Sequence, residues 1–136
     1  MSLMTWAQIM SVGVKVLDDD HKKLVGMVNE LHDGILEGDR AEALGRVLDQ
    51  LVSYTRIHFS REEALFAKTK YAGAVEHKKE HDELIAKALE LQTRYKAGAS
   101  SMLSLETMSF LKSWLTHHIQ GSDKSYGPHL NSNGIH

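Results

Sequence analysis

At 136 residues the chain has the length of one domain, enough to bury roughly two thirds of its unfolded surface in a core. Its 42% hydrophobic and 25% charged content excludes a disordered chain, and 16 basic against 18 acidic residues, a formal charge of -2, gives no footprint for nucleic acid or anionic lipid. The absence of cysteine removes disulfides, thiolate metal sites and thiol catalysis together.

The N-terminal stretch MSLMTWAQIMSVGV has no basic region ahead of its apolar residues, and no run approaches the roughly 18 apolar residues of a membrane span. A cytoplasmic protein is the expectation. With Pro128 as the single proline, almost nothing interrupts helix along the body of the chain. A first helix is predicted after Asp18-Asp19-Asp20, a run able to cap it, with His21, Leu24, Val28, Leu31 and Ile35 at helical steps until the chain loosens at Gly34 to Asp39. A second carries Leu44, Leu48, Leu51, Thr55, His58, Glu62 and Leu65 on one face.

A third carries His77, His81, Leu84, Ala88, Leu91 and Tyr95 and ends at Gly98. A fourth starts after Ser100-Ser101, carries Thr107, Leu111, Trp114 and His118, and stops near Gly127-Pro128. Four helices of roughly 20 residues with short connections predict an all-α fold, an antiparallel up-down-up-down four-helix bundle over residues 1–130. Residues 131–136 read as a disordered tail.

His21, His58, His77, His81, His118 and Glu62 all fall on inward positions of these helices. Burying that many polar groups without partners would cost several kcal/mol each, against the roughly 5 to 15 kcal/mol of net stability of a domain. A metal satisfies them, since neutral imidazole and carboxylate are both good ligands and pairs at i and i+4, His58/Glu62 and His77/His81, share a helix face. Asp123 is five residues beyond His118, about 140° around an ideal helix, so the two reach one site only through a local π turn, which Gly121 would tolerate. His32 lies off the inward stripe, His117 faces away, and His129 and His136 lie beyond the helices, so each reads as solvated.

A narrower reading takes only Glu76 to His81, EHKKEH. His77-x-x-Glu80-His81 matches the H-x-x-E-H pattern of a class of zinc peptidases, with Glu80 as general base. It leaves His21, His58 and His118 without a role, and tetracoordinate zinc has no use for seven donors. Helical phase also turns Glu80 about 100° from His81, toward solvent with Lys78 and Lys79.

The order His21, His58-x-x-x-Glu62, His77-x-x-x-His81, His118-x-x-x-x-Asp123 resembles the hemerythrins, in particular the single-domain bacterial ones. The resemblance extends to Trp6, VGV at 12–14, LDDDHKKL at 17–24, HFSREE at 58–63 and WLTHHIQGSDKSYGP at 114–128, with Ala72 where the family commonly has proline. It implies two iron ions per chain, His77, His81 and His118 on one, His21 and His58 on the other, and Glu62 and Asp123 bridging both. One coordination position then stays open on the iron with two histidines, where dioxygen binds and leaves reversibly. On this reading the protein is an oxygen carrier or store rather than an enzyme, and is expected to be a monomer with no nucleic-acid or membrane partner. Sensing of oxygen or redox state through a separate signalling protein is the alternative. Trp114, Leu111 and Leu31 are candidates to line the oxygen pocket, as well as ordinary core residues.

Overall fold

The structure, a computed structural model, describes residues 3–98 and 101–136. Helix α1 (Lys15–Leu36) begins ahead of the aspartate run that was expected to cap it, with Val14 at its N-cap and no side-chain cap. The three aspartates point elsewhere. Asp18 accepts the Ser11 hydroxyl at 2.6 Å and the Val12 N–H at 2.8 Å, tying down the N-terminal arm, and Asp20 is buried.

α2 (Arg40–Thr69) follows a turn so close that a Cβ on Gly34 would lie 2.3 Å from that of Ala43. Its 30 residues span about 45 Å. Lys70, in the left-handed region at φ 57°, ends it, and Tyr71 N–H returns to the Phe66 carbonyl at 3.0 Å. This left-handed residue turns the chain two positions ahead of Ala72. α3 (Ala74–Ala97) ends at Gly98. Of the Ser100-Ser101 start, Ser100 lies outside the described residues and α4 (Ser101–His117) begins at Ser101.

α4 passes without a break into a π-helical segment, His118–Asp123, and then into α5 (Lys124–Ser132). The π turn expected from the five-residue spacing is therefore present. Glycine is not what permits it: Gly121 has no positive φ, and a Cβ there would meet nothing within 4 Å. Pro128 sits inside α5 rather than ending the helix. The reading of 131–136 as a disordered tail also differs from what the chain does. Asn131 Nδ2 donates to the carbonyls of Gly13 and Ile135, at 3.0 and 2.8 Å, and Ile135 packs on buried side chains.

The result is a four-helix bundle in which α2 packs between α1 and α3, and α4 closes against α1. Along every helix the inward residues come in the same layers. Leu24, Leu31, Leu48, Leu84, Leu91 and Leu111 fill one apolar cluster, while Val14, Leu17, Phe66, Tyr126 and Leu130 fill a second. Between the two in chain order, on each helix, lies a buried polar layer. The apolar layers hold the helices together at both ends of the polar one.

Candidate metal centre

All seven residues selected from the sequence meet in that layer. Their exposures are 0% for His21, Glu62, His81 and Asp123, 1% for His58, and 3% for His77 and His118. Potential ligand atoms fall into two sets, each within 4.8 Å: Glu62, His77, His81, His118 and Asp123, and His21, His58, Glu62 and Asp123. The two carboxylates are common to both. Asp123 faces His77 and His118 through Oδ1, at 2.8 and 2.9 Å, and His21 through Oδ2 at 2.9 Å. Glu62 faces His81 and His58 through Oε1, at 3.0 and 3.5 Å, and His21 through Oε2 at 3.5 Å.

The Nε2 atoms of all five histidines are buried and make no hydrogen bond, as are Glu62 Oε1 and both Asp123 oxygens. So many orphaned buried atoms facing one another suit the donor sets of a cation site, because protein polar atoms at this depth otherwise find partners. The residues therefore fit a bound metal.

Electrostatics agree. Burial disfavours charge on every group, yet the Asp123 carboxylate raises His21 to about 10, and contacts with Asp123 and Glu62 raise His77 to about 9. Burial and mutual repulsion would push the carboxylates up, but the surrounding imidazoles hold both Glu62 and Asp123 well below the usual range.

The outward ring nitrogens of His58 and His81 are held by carboxylates the sequence reading did not assign. His58 Nδ1 donates to Asp20 at 2.9 Å, and Asp20 also accepts from Tyr54 at 2.6 Å and Arg61 at 2.7 Å. Burial opposes ionisation of Asp20, but these bonds and the nearby positive charge lower it to about 2. His81 Nδ1 donates to Glu63 at 2.8 Å, and Tyr126 donates a short bond to Glu62. Their signal was present in LDDDHKKL and HFSREE, as carboxylates adjacent to ligands, but helical period alone cannot say which neighbour they face.

Glu80 corrects the expectation that it points to solvent. It accepts the Ser122 hydroxyl at 2.7 Å and lies 3.5 Å from His118 Nδ1, on the outer side of that ring. That position, away from the converging Nε2 atoms, rules it out as the general base of a peptidase. Of the histidines read as solvated, His117 is exposed and bonds only the Ser113 carbonyl, whereas His129 sits half-buried on α5 and reaches the Thr69 carbonyl at 2.8 Å. Trp114 stacks on His118, centroids 4.2 Å apart, and Phe59 on His81 at 3.7 Å. Leu31 and Leu111 are fully buried in the adjoining apolar cluster.

Residues 12–130 match the family model of the hemerythrin HHE cation binding domain. The chain belongs to the hemerythrin family. Its relatives include a bacteriohemerythrin of Methylococcus capsulatus, 41% identical over 97% of this chain and 100% of that protein. A bacteriohemerythrin of Stenotrophomonas maltophilia is 36% identical over 96% of this chain and 86% of that protein. A solved structure of wild-type hemerythrin is 40% identical and superposes with a TM-score of 0.84, covering 95% of this chain and 98% of that one. Hemerythrins bind oxygen and are not enzymes, and this hemerythrin chain carries their bundle and their cation-binding cluster. No helix among the described residues is long and apolar enough to cross a membrane.

Proposed function

We propose that the protein binds dioxygen reversibly at a pair of non-haem iron ions, held by His77, His81 and His118 on one side and His21 and His58 on the other, with Glu62 and Asp123 shared. The observation that carries this is the set of five unpartnered Nε2 atoms around two buried carboxylates, each carboxylate common to both donor groups. When bound, the iron pair supplies the two electrons that let dioxygen attach and, on reversal, leave.

The chain's own residues prepare that exchange. Asp20 and Glu63 accept the Nδ1 protons of His58 and His81, which leaves each Nε2 lone pair aimed inward. Tyr126 donates to Glu62 Oε2 and so biases how that carboxylate shares its charge between the two sides. Phe59 and Trp114, stacked on His81 and His118, and the buried Leu31 and Leu111 exclude water from the face opposite the polar residues. A centre richer in neutral imidazole than in carboxylate favours reversible binding over oxygen activation.

The same proposal has the protein acting as a cytoplasmic monomer that delivers dioxygen to an oxygen-consuming protein. The test is iron content together with the ultraviolet-visible spectrum of the reduced, iron-loaded chain before air, after air and after deoxygenation. Two irons per chain and a charge-transfer band that appears and disappears support the proposal. Irreversible conversion to an oxidised spectrum would overturn it in favour of redox sensing.

A further inference from the structure

Bulky or tightly bonded side chains close much of the polar layer. Tyr126, Phe66 and Phe59 are 0 to 2% exposed, and the Asp20–Tyr54–Arg61 network covers His58. Between α3 and the π segment, however, lies a cleft of about 190 Å³ lined by Glu76, Glu80, Ser122 and Ser125, with His77 as its inner wall. His77 and His118 are the most exposed of the seven donors, at 3% each. His77 lines this cleft, and His118 stands behind its Glu80, with Nδ1, buried and without a hydrogen bond, 3.5 Å from Glu80 Oε1.

The acidic residues are graded along it. Glu76 is at the outside, 78% exposed in its side chain and paired with Lys79 at 3.0 Å. Glu80 is at the neck, 39% exposed, held by the Ser122 hydroxyl at 2.7 Å. Ser122 belongs to the same π segment that carries His118 and Asp123. A swing of Glu80 away from Ser122 would free a carboxylate beside the ligands and loosen the segment bearing two of them.

We infer that this cleft is the port through which divalent metal ions enter the centre, with Glu76 as the outer collecting carboxylate and Glu80 as the inner transfer carboxylate. The inference rests on the metal-binding reading above. An exposed carboxylate can hold a divalent ion that keeps much of its water, whereas imidazole nitrogens suit iron, so a carboxylate relay that hands the ion to nitrogen ligands fits the order of groups along the cleft. An acidic mouth also raises the local cation concentration, an effect that falls with ionic strength.

The test is stopped-flow uptake of cobalt(II), and anaerobically of ferrous iron, by the full chain stripped of metal, with circular dichroism confirming that each variant is folded. Loss of metal from the loaded chain to a strong chelator is followed in parallel. Glu80→Gln and Glu76→Gln are compared with Asp33→Asn, which removes one negative charge from a separate acidic cleft containing no donor. Uptake slowed at least threefold by the Glu80 and Glu76 changes, with the same final metal content, slower chelator extraction and no effect of Asp33→Asn, bears the port out. Wild-type rates in both port variants, or equal slowing by Asp33→Asn, would overturn it. A wild-type chain that takes up no metal at all would instead sink the metal-centre reading.

Discussion

At the scale of single residues, Asp20 is the clearest case of a side chain whose work is invisible in its own helix. It is 3% exposed and accepts from His58, Tyr54 and Arg61. Asp20→Ala leaves three donors without an acceptor, so the metal-free chain is expected to lose about 1–3 kcal/mol, read from urea denaturation. Because His58 is then free to rotate or change tautomer, cobalt(II) affinity should fall about 10- to 100-fold in a competition titration. Tyr126→Phe deletes only the hydroxyl bonded to Glu62. A loss of about 1.5–3 kcal/mol is expected in the metal-free chain, as for a bond to a charged group, also measured by denaturation. Six of the seven clustered residues could be found from spacing, because side chains on one face of a helix must obey its period. Asp20, Glu63 and Glu80 could not be assigned, since they act across to other helices or around the outside of a ring.

At the scale of elements, the π segment decides whether Asp123 reaches the centre. An α-helical spacing of five would turn Asp123 away from His118, and the widened turn brings both to one place, 2.9 Å apart. The need for this turn was legible, because two required donors stood at an incompatible spacing. The role of Gly121 was not, because the clearance around a Cβ is a tertiary property. Gly121→Ala should therefore stabilise the chain by about 0.5–1 kcal/mol through helix propensity alone, measured as a rise in the thermal midpoint. Gly127→Ala makes the contrasting case. Its Cβ would lie 2.3 Å from the Val12 carbonyl oxygen, a backbone atom that cannot swing aside, so a loss of about 1–3 kcal/mol is expected. These two glycines stand six residues apart on one rod, and only the docked N-terminal arm distinguishes them.

At the scale of the whole molecule, the metal-free bundle is held at its polar layer by charge pairs, and its stability follows their titration. His21 and His77 are raised from 6.5 to about 10 and about 9, so their contribution is complete below pH 6.5 and is lost as pH rises through 9 to 10. Glu62 and Asp123 are lowered, so theirs is present above their ordinary values of 4.5 and 3.8 and is lost as pH falls through the depressed ones. The metal-free chain should thus melt higher near pH 5.5 than near pH 8.5. Loaded with metal it should lose this alkaline decline, because the nitrogens are then engaged by cations. Metal binding at pH 7 should also release about two protons per chain, from His21 and His77, which titration in weakly buffered solution measures.

Sequence alone determined the helical bodies, their inward faces and the residues that cluster between them, because these follow from a period of 3.6 residues, from the break in it between His118 and Asp123, and from the rule that buried polar groups need partners. Tertiary structure decided what period cannot express. It placed Asp20 against His58 rather than at a helix cap, and Glu80 against Ser122 and His118 rather than in solvent. It also carried α5 through Pro128 and joined Asn131 to Gly13, 118 residues away, where the polar composition of 131–136 suggested a free tail. Each of these depends on which residue of a distant segment stands opposite, a relation set only when the helices pack.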